Sequence, residues 1–223
     1  MALLYFLGIF VGMLIPIQTS VNSRLSQYTR SSFYASTVSF GVGTLCLIIL
    51  NLIINPHMLT PQFFTEQTFN YHWFVGGLLG VCFLTGNLLL LPRLGAALTV
   101  VITVAGQIIM GVAIDTLGLF GANQQPFTLF KAVGIVLLLI GILLMNQIPK
   151  DKLLRQSHSN LYIWLIVGFI FGCAPPIQTT INSALAKEVH SSFFASLVSF
   201  TIGTIALLIL TLIFHRSLKI NQT

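Results

Sequence analysis

Charge is what this sequence has least of. Its 223 residues carry 10 basic and 4 acidic side chains, 6% of the total, where a soluble domain has roughly 25%. So few charges exclude a solvated globular surface. The basic residues stand one to three at a time in polar linkers, which excludes a nucleic-acid patch and fits membrane orientation instead. Cysteine is scarce as well. Cys46, Cys82 and Cys173 lie far apart inside apolar runs, so they read as small core side chains in preference to metal ligands. His57, His72, His158, His190 and His215 fall in linkers or at span ends and form no metal spacing with acids or cysteines. HExxH, GxSxG and paired intramembrane carboxylates are missing, which argues against an enzyme. With them go the expectations of a metal or a cofactor. The last apolar run, 192–214, has no lysine, which excludes a retinal Schiff base. The first run has neither a basic leader nor a small-residue cleavage site, so it is not a cleaved signal peptide.

What is present is apolar length. Hydrophobic residues make up 56%, and runs of about 20 residues recur, each long enough for a bilayer core of about 30 Å. Seven spans are expected, at roughly 2–22, 32–54, 72–91, 95–116, 128–147, 160–182 and 192–214. The fold class is therefore an all-α polytopic membrane protein. A loop at 55–71 carries two prolines, a tight turn falls at Leu91-Pro92-Arg93-Leu94-Gly95, and a loop with Gly, Asn and Pro covers 117–127. The most polar linker is 148–159.

One stretch is spelled twice. PIQTSVNSRLSQYTRSSFYASTVSFGVGTLCLIILNLI at 16–53 returns as PIQTTINSALAKEVHSSFFASLVSFTIGTIALLILTLI at 176–213, with about 22 of 38 positions identical. A fixed internal repeat sets the architecture. The division expected is a first five-helix repeat at 1–147, a cytoplasmic linker at 148–159 and a partial second repeat of two helices at 160–223. Five helices is an odd number, so the second copy enters the membrane upside down. Eight basic residues, Arg24, Arg30, Arg93, Lys150, Lys152, Arg155, Arg216 and Lys219, then face the cytoplasm against Lys131 and Lys187 outside. The N-terminus is expected outside and the C-terminus in the cytoplasm. Arg24 and Arg30 become Ala184 and His190 in the second copy, as inversion requires. Inverted repeats are a hallmark of secondary transporters.

The repeated polar residues are the candidate site. Pro16, and Pro175 with Pro176, are expected to kink their helices and to free carbonyls four residues back, at Gly12 and Gly172. Gln18 and Asn22 share a helix face at i, i+4, and Gln178 and Asn182 repeat them. Two readings stand: a substrate-facing polar wall, or amides that bond neighbouring helices. The two clusters would occupy opposite mouths of one cavity. Asn87 and Gln107, uncharged and at membrane depth, divide between the same two readings. Asp115 is the one carboxylate in or near a span; it serves either as a possible coupling-proton carrier or as an interfacial partner of Lys131, the reading preferred. Gly8-x-x-x-Gly12 and Gly168-x-x-x-Gly172 read as close helix contacts, as do Ser36, Ser39 and Gly43 with Ser196, Ser199 and Gly203.

Gly8 and Gly12, PIQTSVNS, SSFYASTVSFGVGT, LPRLGAAL, AGQ and Asp115 before GLFG follow in the order seen in the YdcZ-type family of bacterial inner-membrane proteins. The chain resembles that family, part of the drug/metabolite transporter superfamily and related to the small multidrug resistance exporters. The resemblance implies export of a small-molecule substrate from the inner membrane. The candidate lining of amides, hydroxyls and aromatics suits a neutral, zwitterionic or amphipathic solute. Family units have five helices, occurring singly, as paired genes or fused as two antiparallel copies. A fused protein would have ten helices, so a seven-helix chain is expected to be a truncated fragment, a non-transporting partner subunit, or one half of an assembly with a homodimer mate or partner subunit supplying the missing helices. The related small exporters carry a glutamate in helix 1. This chain has no acid there, so their proton mechanism does not carry over.

Overall fold

The computed structural model describes residues 2–147 and 158–215. Most of the 148–159 linker, with Lys150, Lys152 and Arg155, and the segment carrying Arg216 and Lys219, therefore lie outside the described residues. The described chain is helical throughout: α1 (Ala2–Thr29), α2 (Ser32–Ile54), a short α3 (Pro61–Glu66), α4 (His72–Leu117), α5 (Leu129–Gln147), α6 (His158–Gly172), α7 (Ala174–Glu188) and α8 (Ser192–His215). Among the described residues, five stretches are long and apolar enough to cross a membrane: Ser32–Ile54, His72–Gly95, Ala97–Leu117, Leu161–Glu188 and Ser192–Phe214. A shorter apolar helix runs over Leu129–Ile142. Five expected spans coincide with these stretches. The first lies in α1 and the fifth in α5.

The expected turn at 91–95 is sharper than a loop. Helical hydrogen bonding continues through Pro92, and one residue, Gly95 (φ 74°, ψ 167°), leaves helical geometry. That backbone region is essentially open to glycine alone. The chain reverses there, as its contacts with α6 show. Along the first limb Gly86 meets Phe171 and Leu90 meets Gly168; along the second Ile102 meets Gly168 and Gly106 meets Gly172. Leu90, Leu94, Leu98 and Ile102 form an apolar core inside the hairpin, backed by Trp164, Phe169 and Phe171. Arg93 at its tip lies 3.9 Å over the Trp164 ring.

The two Ser-rich turns fold alike. Arg30 (φ 52°) and His190 (φ 56°) occupy equivalent left-handed positions. Ser31 then accepts the Tyr34 N–H at 3.2 Å, and Ser191 accepts the Phe194 N–H at 3.2 Å. Each serine satisfies an orphan amide at the start of its helix. This local chemistry explains why SSF is repeated so closely.

Helices α2 and α8 pack antiparallel. Phe33 stacks on Phe214, Thr37 bonds Thr211 at 2.8 Å, Thr44 bonds Thr204 at 2.9 Å, and Asn51 donates to the Phe193 carbonyl at 3.2 Å. Near the crossing, equivalent residues of the two copies touch each other: Thr44 with Thr204, and Phe40 with Phe200, ring centres 5.0 Å apart. Gly43 receives the Phe200 ring and Gly203 the Phe40 ring. Small residues permit this approach, as their sequence pattern suggests. From this pair, α1 packs on α2, α7 on α8 and α4, and α5 on α4. Exposed Phe6, Phe10, Ile53, Leu137 and Ile166 give the bundle an apolar exterior suited to lipid.

In the second copy helical hydrogen bonding is interrupted at Cys173, which keeps helical geometry (φ −71°, ψ −20°), and one apolar stretch, Leu161–Glu188, runs through the interruption. Pro175 and Pro176 sit just beyond it in the first turn of α7, where a missing N–H costs nothing. Gly172 lies against Thr103 backbone atoms, so the end of α6 is packed by protein. In the first copy, α1 continues through Pro16; the side chains of Pro16, Gly8 and Gly12 lie outside the described residues.

Candidate functional site

The repeated amides reach the repeated serines. Asn22 donates to Ser39 Oγ at 3.1 Å, joining α1 to α2. Gln178 donates to Ser199 Oγ at 3.4 Å, joining α7 to α8. Ser39 and Ser199 are equivalent positions, but their donors come from different positions of the amide pair. The reason is α4. A Cβ on Gly76 would collide with Asn182 Oδ1, and one on Gly80 would lie 2.8 Å from Gln178 Nε2. The first limb of α4 thus presses a glycine strip against both second-copy amides. Asn182 Oδ1 is buried there without a hydrogen-bond partner. A buried unpaired acceptor costs about 1–3 kcal/mol, so this atom is available to a donor that can reach it.

The first-copy amides are more open. Gln18 is exposed and Asn22 half-buried. Ile17, Ser20, Val21 and Arg24 border an open surface of α1. At 100° per residue these four project away from the Asn22 face, so that surface and the amides are separate features. Asn87 donates to the Phe83 carbonyl of its own helix at 3.1 Å. Gln107 is half-buried on the second limb of α4, one residue beyond the Gly106 contact with α6.

Asp115 stands 3.8 Å from Lys131 Nζ, the interfacial pairing preferred on sequence grounds. Its side chain is 53% exposed. Asp115 ends the second limb of α4 and His72 begins the first, so the hairpin brings both to one end of the bundle. Glu188 lies at that end too, with Oε2 3.6 Å from His72 Nδ1 and 3.0 Å from Asn70 Nδ2. His72 is thus a span-end residue with a carboxylate as its neighbour, its Nδ1 buried without a hydrogen-bond partner. Arg24, Arg30 and Arg93 occupy the opposite end, since α2 runs antiparallel to α8. Among the described residues, no group of three His, Cys, Asp or Glu side chains could hold a metal ion.

Sequence reasoning missed Gly76, Gly80, Glu188 and His72 as parts of the arrangement. The glycines carried a signal in the run G76-G77-x-x-G80, which is the small-xxx-small pattern of close helix contact. The partners of His72 and Glu188 lie more than a hundred residues apart, and no local pattern links them.

The features so far define a polytopic helical membrane protein with small-residue helix contacts and intramembrane amides. The profile of the family described as "Putative inner membrane exporter, YdcZ" matches residues 3–144 and again 163–223. The chain belongs to that family, within the drug/metabolite transporter superfamily. It is a multi-pass protein of the bacterial inner membrane, of a transporter family and not an enzyme family. No curated protein and no solved structure matches the chain.

Proposed function

We propose that the chain exports a small neutral, zwitterionic or amphipathic solute by alternating access between two inverted repeats. One observation carries this reading: α2 and α8, copies of one sequence, lie antiparallel with equivalent residues in contact across the crossing. A pair related in this way is what two oppositely oriented copies produce, and inverted repeats rock about such an axis. The second profile match, over 163–223, falls on the second copy and supports the same division.

In this reading the amides are the solute contacts. Ser39 and Ser199 each precede the Thr44–Thr204 contact by five residues on antiparallel helices, so they lie roughly 15 Å apart along the axis at about 1.5 Å per residue. Asn22 and Gln178, bonded to them, would address opposite mouths. With the N-terminus outside, Asn22 and Gln18 face the cytoplasmic side, and Gln178 and Asn182 the outer side. Asn87 and Gln107 lie on α4 next to Gly86 and Gly106, which meet α6 at Phe171 and Gly172, and are assigned to the cavity only as candidates. A homodimer mate or partner subunit would cover α1 as α4 covers α6 and α7. Such a hairpin would complete the first-copy mouth.

The test is solute binding to the reconstituted protein, with any partner subunit present. Removing an amide that bonds the solute strands a polar group at about 1–3 kcal/mol, a five- to more than hundredfold loss of affinity. Asn22→Leu should weaken binding from the cytoplasmic side and Asn182→Leu from the outer side. Unchanged affinity in both, with normal folded protein, would assign these residues to helix packing.

A further inference from the structure

We propose that the end of the bundle around Trp73 is a water-admitting gate, closed over polar atoms that have no partner, and that Asn51 sets how readily it opens. The proposal rests on the alternating-access reading and assigns to it the end that opens. Among the described residues, seven buried side-chain polar atoms lack a hydrogen-bond partner. Five lie at one end of the bundle. They are Asn51 Oδ1 near the close of α2, His72 Nδ1 and Trp73 Nε1 in the first turn of α4, Thr116 Oγ1 in its last turn, and Asn182 Oδ1 about two turns from the end of α7. Of the other two, Thr85 lies midway along the first limb of α4 and Thr99 near the hairpin tip. Buried polar groups are nearly always paired, so five orphans single this end out. Water entering there satisfies them.

An apolar plug keeps the water out. Met58, Trp73, Leu185, Val189 and Phe194 belong to it, drawn from the 55–71 loop, α4, α7 and the turn and helix that follow. The loop is lightly fastened. Met58 is buried, Phe63 meets Phe194 edge-on with ring centres 5.2 Å apart, and α3 itself buries no residue. Trp73 meets the same Phe194 ring edge-on at 5.8 Å. Ring contacts of this kind part without stranding a hydrogen bond.

Asn51 matters most because α2 meets α8 there. It is 0% exposed. Its Nδ2 donates to the Leu47 carbonyl of its own helix at 2.8 Å and to the Phe193 carbonyl of α8 at 3.2 Å, while its Oδ1 has no partner. The equivalent residue of the second copy, Thr211, is also 0% exposed, at the opposite end of the α2–α8 pair. There Thr37 donates to the Phe33 carbonyl at 2.9 Å, which leaves Thr211 to donate to Thr37 at 2.8 Å. Both hydroxyls are bonded. A hydrogen bond between helices contributes little on average in a membrane, whereas a buried unpaired acceptor forfeits its hydration in full. The second effect is the larger, so Asn51 loosens its end and Thr211 does not. When α8 parts from α2, Asn51 keeps its bond to Leu47 and its Oδ1 gains water. In the proposed orientation this is the outer end, so the carrier is biased toward opening outward.

The experiment reads opening without transport. Ala195 in the plug and Ala35 at the opposite end are equivalent positions, 1% and 2% exposed. Ala195→Cys and Ala35→Cys, each in a chain with Cys46, Cys82 and Cys173 replaced by alanine, are labelled with a maleimide in lipid nanodiscs, where both ends are accessible. Each rate is divided by that of an exposed reporter at the same end, Thr65→Cys or Gln27→Cys, and then follows the opening equilibrium. Asn51→Leu keeps the size and removes the orphaned oxygen. It should slow labelling at position 195 about two- to tenfold and leave position 35 unchanged. Thr211→Asn should speed labelling at position 35 by a similar factor. Equal or faster labelling at 195 in Asn51→Leu overturns the gate, and so does slowing at both positions, which is general stiffening. Should that variant not fold, Asn51→Thr decides by the same criterion, since its hydroxyl can donate to the Leu47 carbonyl as Thr37 does to Phe33. If neither folds, the bond to Phe193 outweighs the orphaned oxygen and the proposal falls. A gate that responds as expected in a protein that binds no solute would overturn the transport reading and leave the gate standing.

Discussion

The two copies of PIQT-x-x-NS begin with the same residues and end in different surroundings. In the second copy, α4 lies on the motif and puts glycines where the amides reach it. In the first, α1 meets α2 and leaves Gln18 exposed. The side chains are identical, so the neighbours decide the difference. The same contrast holds for the prolines. Pro16 is carried inside one long helix, whereas the doubled Pro175-Pro176 starts a new one. A duplicated sequence thus supplies one chemistry in two mechanical settings, one clamped and one open.

The largest test of that contrast is steric. Gly76→Val should drive a branched side chain into Asn182, and Gly106→Val should drive one into the α6 backbone at Phe169 and Gly172. Overpacking of this kind costs typically 1–3 kcal/mol and more where backbone must move. Thermal unfolding in detergent should show Gly106→Val as the more damaging, because a backbone carbonyl cannot rotate away. Gly111→Val, with no atom within 4 Å of its Cβ, should change the midpoint little. Equal loss at all three would mean that α4 is not clamped on α6 and α7.

Gly95→Ala tests the hairpin that produces the clamp. At φ 74° and ψ 167° an L residue costs on the order of 1–3 kcal/mol. The loss should appear as lower thermal stability together with easier proteolysis near the tip. Ala97→Gly, two residues away in helical backbone, should cost no more than about 1 kcal/mol.

Much of this contrast was legible in the sequence, and the reasons for the rest are physical. Span positions followed from apolar length and the reversal from Pro92 and Gly95, while Gly43 and Gly203 announced close helix contacts without saying that the two copies meet each other. The Asp115–Lys131 pair followed from opposite charges flanking one loop. The interruption at Cys173 falls where the doubled proline was expected to disturb the helix, and a Pro-Pro pair fits the helix start found there. The pressure of Gly76 on Asn182 depends on how α4 folds back, which no local pattern specifies. His72 and Glu188 were unreadable for the same reason.

The smallest effect concerns the two turns, which share a backbone geometry. Arg30 and His190 hold φ of 52° and 56°, a left-handed conformation that costs a non-glycine residue roughly 1–2 kcal/mol. Glycine adopts it without that penalty but is more flexible when unfolded, so the net gain should be a few tenths of a kcal/mol up to about 1. His190→Gly should therefore raise the unfolding midpoint slightly, and Arg30→Gly should raise it less, because the Arg30 side chain makes an interaction that glycine loses. The double variant should show the sum, since the turns lie at opposite ends of the antiparallel α2–α8 pair and sites that far apart are additive. Equal gains at both positions would show that the Arg30 interaction contributes nothing to stability, whereas a gain at His190 alone extends the contrast between the copies from their helices to their turns.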